Sequence, residues 1–345
     1  MHIRQTSRTL ARLLKVFLGT SLSALVTLAH ADPATPPLEL LYSADARLIT
    51  AELVEINPAG RLVFKRVRVF GNSSDIPELV DAAVTTRAFE SAKLGEHYIV
   101  GYTTFRNDKQ YPAGITPSRK DTVVISSSGL DPALFLDSLG LRKILDIAAT
   151  ERGRESTKLR QILLKTFTGN EPRLQRLAAA QFALDSEMSG KLSGKDKIIL
   201  REAALNENIN PTTRSLLITA AADRPDDFGG WAGDAINKVL EITPVDGYPD
   251  GAADHTGLVL LCFSEASARG IQVPFQSLIR WLRSSHQLYL ERASTLLDSL
   301  YPERRKSAFE TALGESDPNS ATHQFLNRKL REVDHKDVRT DAQRH

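Results

Sequence analysis

Two periods of apolar residues divide the chain. From Tyr42 to about Ser128 the apolar positions alternate or run in short branched stretches. LITAELVEI, the turn NPAG and RLVFKRVRVFG together predict a β-hairpin. Inside its second strand the phase slips, because Leu62 and Phe64 fall on even positions whereas Val67 and Val69 continue on odd ones. One extra residue near Lys65-Arg66 would restore a single inward face, which is what a β-bulge does. EHYIVGYTTF and DTVVISSS predict two further strands, giving a small β domain over residues 42–128. The connecting stretch, residues 73–94, is expected to hold a short helix around PELVDAAVTTRAF.

After Gly129 the strands are expected to stop and helical punctuation to begin. Asp131-Pro132, Asn210-Pro211 and Asp317-Pro318 each place a capping side chain before a proline, and Glu171-Pro172 does so less well, with Asn170 as the better cap. Such pairs suit a helix start, since the cap oxygen accepts an orphan N–H and proline has none to leave unsatisfied. The prolines at 132, 172 and 211 are spaced 40 and 39 apart. A period near 40 with two helices per unit is the pattern of an α-solenoid.

These segments carry two resemblances. GEHYIVGY, following a strand that ends in VRVFGN, is similar to the closing strands of small five-stranded OB-like barrels. EPRLQRLAAAQFAL and NPTTRSLLITAA resemble the first helices of HEAT-type repeats, with an early proline, an arginine soon after, then small and apolar residues. KDKIILREAAL, GWAGDAINKVLEI, PFQSLIRWLRSS and ERRKSAFETAL are the matching second helices; residues 140–168 are expected to hold an extra one, and the final units are shortened. The HEAT resemblance covers residues 131–332 and implies a stack that offers a surface to a partner. The expected fold class is therefore α+β and multi-domain, a small β-barrel-like domain followed by a solenoid of HEAT-like helical hairpins. The segment REVDHKDVRTDAQRH is charged and nearly free of apolar residues, so residues 333–345 are expected to be a disordered tail.

Charge changes the picture mainly at the front. The chain has 44 basic and 42 acidic residues, but Arg4, Arg8, Arg12 and Lys15 fall in the first 31, which contain no acid. Those residues lead into the apolar run VFLGTSLSALVTLA and then Ala29-His30-Ala31, the order of a cleavable export signal. Cleavage after Ala31 would leave 40 basic against 42 acidic residues, a balance that argues against nucleic-acid binding through overall charge. Residues 32–41 then form a short leader, with no stable membrane anchor after cleavage, and the protein is expected in the periplasm or beyond. The one cysteine, Cys262, lies in the apolar run LVLLCFSEA, where it reads as a small core residue.

Candidate chemistry is sparse. HExxH, GxSxG, a phosphate-binding glycine loop and paired CxxC are missing from the sequence, no cofactor is implied, and no catalytic residue is assigned. VDGYPDGAADH offers Asp246, Asp250, Asp254 and His255 as metal ligands for calcium or zinc. The same loop reads equally as a solvated connection with Asp254 capping the next helix. DRPDDFGGWAGD gathers Asp223, Asp226, Asp227 and Asp234, which could divide acid and base roles in an envelope hydrolase or simply bias a helix N-terminus. In PFQSLIRWLRSSH the packing stripe is Phe275, Leu278, Ile279 and Leu282, and Trp281 stands off it between Arg280 and Arg283. Arg280, Trp281 and Arg283 are thus a candidate binding cluster for a protein partner, unless a neighbouring repeat covers the indole. In residues 169–186, Leu174, Leu177, Ala178 and Leu184 make an apolar face with Phe182 at its edge, and Gln181 intrudes near its centre. Ala179 and Ala183 lie on the other side beside Arg173 and Arg176, so a second helix could approach closely there.

Overall fold

The structure, a computed structural model, describes residues 35–58, 60–70, 76–104, 122–125, 132–150, 156–246 and 254–342. These divide into two compact units, one running up to Lys191 and one beginning at Leu192.

The first unit opens with helix α1 (Pro37–Leu41) and continues through β1 (Ala46–Asn57), β2 (Arg61–Val69), β3 (Leu79–Ala83), α2 (Thr86–Ser91), β4 (His97–Thr104), β5 (Thr122–Val124) and β6 (Leu134–Leu136). The strands run β1-β2-β3-β5-β4 and return to β1, closing a five-stranded barrel, with β3 and β5 parallel. β6 pairs with β4 on the edge that β5 leaves open. Ile49, Ala51, Leu53, Leu62 and Phe64 are fully buried, and Phe64 meets Tyr98 edge-on with ring centres 6.3 Å apart. Alternation of this kind, with a closed ladder, leaves the barrel strands no free edge.

The bulge lies close to its expected place. Thr50 pairs with Arg68 and Ala51 with Arg66, so Val67 is the extra residue in β2. It is thrown outward, 58% exposed, rather than brought to the inner face. A second shift makes Val54 the extra residue in β1. The helix expected around PELVDAAVTTRAF is corrected in part: Leu79–Ala83 is a strand, and only Thr86–Ser91 is helical. Val80 and Ala82 face inward against β2, so ladder pairing overrides the helical composition. Pro132 likewise precedes strand β6 instead of starting a helix.

Four helices complete the first unit: α3 (Leu139–Thr150), α4 (Thr157–Thr166), α5 (Pro172–Leu184) and α6 (Ser186–Ser189). The expected leader 32–41 ends in α1, whose Leu38 and Leu41 are buried and which packs on β1 and α5. Because Pro37 has no N–H, Leu38 supplies the first orphan amide of α1, and Gln181 Oε1 of α5 accepts it at 3.0 Å. The Gln181 amide nitrogen donates in turn to Asp185 at 3.1 Å. Gln181 is buried because it caps a helix remote in sequence. Gln181→Leu keeps the volume but strands the Leu38 N–H, and is expected to cost about 1–3 kcal/mol. Chemical denaturation read by far-UV circular dichroism would check this; an unchanged midpoint would mean that the amide finds another acceptor. On the other side of α5, Ala179 is also buried and Ala183 half-buried, and Arg173 donates to the Leu134 carbonyl at 2.7 Å. At the far end of α1, the Tyr42 hydroxyl donates to the Leu145 carbonyl at 2.6 Å, and burial raises its pKa.

The second unit is helical among its described residues. It holds α7 (Gly194–Leu205), α8 (Pro211–Asp223), α9 (Pro225–Phe228), α10 (Ala232–Ile242), α11 (Thr256–Arg269), α12 (Phe275–Trp281), α13 (Gln287–Leu300), a 3₁₀ turn (Pro302–Arg304), α14 (Arg305–Gly314) and α15 (Ala321–Ala342). Ser193 and Asp196 form a capping box at α7, and Asn210 caps α8 beside Pro211. Asp317-Pro318 does not itself open α15, which starts three residues later with Ser320 Oγ accepting the His323 amide. The helices pack on near neighbours in the sequence: α8 on α7, α10 and α11; α11 on α8, α10 and α13; α12 on α13 and α14. Arginines fasten one helix to another by reaching carbonyls at helix ends, which lack partners within the helix. Arg214 of α8, fully buried, donates through Nε to the Ala204 carbonyl of α7 at 2.9 Å, and burial lowers its pKa. Arg280 of α12 donates to the Thr243 carbonyl at the end of α10 at 2.9 Å.

Candidate functional site

Trp281 closes the last turn of α12, and it is 0% exposed. Its ring meets Phe263 of α11 and Tyr289 of α13 edge-on, at 5.7 and 5.1 Å between centres. Its indole N–H donates to the Leu240 carbonyl at 2.8 Å. Arg280 lies 5.0 Å over the indole, and Arg283 pairs with Glu315 at 2.7 Å. The exposed tryptophan expected from the helical wheel is therefore corrected. α12 is packed on more than one side, so a residue well off its main stripe is still core. Arg280 and Trp281 together close the carbonyl end of α10, and Arg283 ties α12 to the end of α14.

The aspartate loop places its described residues in structural roles. Asp246 accepts the Ser285 amide at 2.9 Å and the Ser285 and Ser284 hydroxyls at 2.7 and 3.1 Å, organising the approach to α13. Asp254 accepts the Thr256 amide at 2.8 Å at the start of α11. Hydrogen bonds from the Thr256 side chain and amide hold its carboxyl below the usual range. His255 immediately precedes α11, and Asp250 lies outside the described residues. Among the described residues no three His, Cys, Asp or Glu side chains gather as a metal-binding group.

The second acidic cluster disperses as well. Asp223 pairs with Arg269, which also holds Glu265 at 2.6 Å, joining the ends of α8 and α11. Asp227 sits 3.9 Å from Arg224, the Asp226 carbonyl accepts Lys197 at 2.8 Å, and Asp234 stands in the first turn of α10. Cys262 is enclosed in α11, and burial pushes its thiol up to about 12. A thiol so placed stays protonated and is no nucleophile near neutral pH.

α8, α11 and α13 touch in that order, and each also packs on its sequence neighbour, so one side of each is left outside the core. On α8 that side carries Thr212, Leu216 and Thr219, and on α11 it carries Leu260, Leu261 and Ser264. The charges inside these two helices are Arg214 and Glu265, both buried, while Asp223 and Arg269 pair at the ends. The outer sides of α8 and α11, half-buried except at the exposed Thr212, therefore form a strip without charged side chains on two helices in contact. α13 continues it with Leu288, which is 47% exposed, next to Glu291 and Arg292. The opposite row of helices differs sharply: α7 presents Lys195, Arg201 and Glu202, and α10 presents Asp234, Lys238 and Glu241.

No protein family, curated protein or solved structure matches the chain.

The strip was not among the candidate residues read from the sequence, although its signal is visible there. PTTRSLLITAAA and TGLVLLCFSEASA have apolar or hydroxyl residues all round, so whatever side such helices leave uncovered will lack charge. Which side that is depends on helix neighbours, and a single-helix wheel does not contain them. No helix among the described residues is long and apolar enough to cross a membrane.

Proposed function

We propose that this protein is an exported, non-enzymatic binding or scaffold protein, and that it engages a protein partner through the charge-free strip of α8 and α11. The observation that carries this reading is the asymmetry between the two helix rows. Interface centres are depleted in charge relative to ordinary surface, and a solvated face of two adjacent helices normally carries several charged residues. The strip fits the first description and the α7–α10 side the second. Helices that pack on both their immediate and their next neighbours, with helix-opening prolines at 172 and 211, support a HEAT-like stack. The closed Greek-key order of the strands is in keeping with an OB-like barrel ahead of it. The basic, then apolar, then Ala-His-Ala opening supports export, and with it an envelope partner.

Charge introduced on the strip provides the test. Leu216→Lys with Leu261→Lys should abolish co-purification of the partner from envelope extract, by roughly tenfold or more in recovered complex. Ile198→Lys, at an exposed position on α7, should leave recovery unchanged. Equal recovery by both variants, or no protein recovered by the wild type, contradicts the reading.

A further inference from the structure

We propose a second binding site on α15, for the carboxylates of an extended acidic peptide segment. Gln324, Asn327, Arg328 and Arg331 stand at i, i+3, i+4 and i+7, so one side of the helix carries two amides followed by two guanidiniums. They border an open cavity of about 390 Å³, with Glu332 at its margin. Arg328 lies 5.3 Å over the buried ring of Phe325, a contact through the guanidinium face that does not consume its N–H donors. Glu332 is engaged by Lys329 at 3.0 Å and forms no ion pair with either arginine. Arg328 and Arg331 have no carboxylate partner among the described residues, in contrast to Arg269 and Arg283, which are paired.

The spacing selects the ligand. Residues three apart on a helix have Cβ atoms about 5–6 Å apart. Alternate residues of an extended peptide project on one side about 7 Å apart. Two acidic side chains in such a segment can each meet one guanidinium through paired N–H···O bonds. The amides of Gln324 and Asn327 both donate and accept, which suits the peptide backbone between those side chains. A dense polyanion is a poorer fit, because among the described side chains the site offers two uncommitted cations with a carboxylate beside them. The site lies on a different helix from the α8–α11 strip and does not depend on that assignment.

Fluorescence anisotropy with a labelled alternating Asp-Ser peptide and the purified protein decides the matter. The wild type should bind it, and Arg328→Gln with Arg331→Gln should weaken binding roughly tenfold. Arg201→Gln on α7 should have no effect, an alternating Asn-Ser peptide should not bind, and inorganic phosphate at the peptide's own concentration should not displace it. Because all the altered side chains are exposed, the thermal midpoint is expected to stay constant across the variants. The proposal is overturned if the wild type does not bind or the double variant binds equally well. Binding by the neutral peptide, or displacement by phosphate, overturns it too.

Discussion

Trp281→Ala is expected to be among the most destabilising single changes in this chain, at about 3–5 kcal/mol. The indole is fully enclosed, touches aromatic rings on α11 and α13, and donates to the end of α10. Its removal opens a cavity where four helices meet and leaves the Leu240 carbonyl with one donor fewer. Trp281→Phe should fall between, keeping much of the ring packing but losing the N–H donor. The chain has two tryptophans, so in either variant Trp231 remains as a fluorescence reporter for denaturant unfolding of the same unit. A loss below about 1 kcal/mol for the alanine variant would mean that α12 is not held as described.

Gly101→Ala should be the comparable test of the barrel unit, with an expected cost of about 1–3 kcal/mol. A Cβ built at this position falls 2.7 Å from Leu41 Cδ2 of α1 and 2.9 Å from the Ala133 Cβ. Leu41 can swing aside, but the Ala133 methyl sits on backbone that bonds directly to Gly101, whose N–H donates to the Ala133 carbonyl at 2.7 Å. Leu41→Ala should therefore relieve only part of the strain when combined with Gly101→Ala. Urea midpoints of the two single variants and the double variant would show this. Full additivity of the losses would mean that α1 does not press on β4.

How far the sequence foretold these features depended on whether the decisive neighbour was local. The β1–β2 hairpin was legible because NPAG and the flanking branched residues are a local signal, and the bulge followed from a phase slip that ended on Val67. The helix start at Asn210-Pro211 was likewise local, since cap and amide lie within two residues. β3 was misread because LVDAAV has helical composition, and its strand character comes from pairing with β2. Pro132 misled for a related reason: a proline after an aspartate suits a helix start, yet here the chain continues into β6. Gln181 was visible as an anomaly, but its partner Leu38 is 143 residues away, so the sequence posed a question that only the fold answers. The residues proposed as sites likewise have their partners elsewhere in the chain. Asp246 and Asp254 belong to one loop in the sequence but bind Ser285 and Thr256, near the starts of two different helices.

The central claim, that the α8–α11 strip is where a protein partner sits, is tested most directly by site-specific photo-crosslinking in the intact envelope. A photoreactive residue at Leu216 or Leu261 should give one and the same crosslinked species, and at Ile198 on α7 none. Crosslinks of equal yield at Ile198, or no crosslink at either strip position, would contradict the assignment.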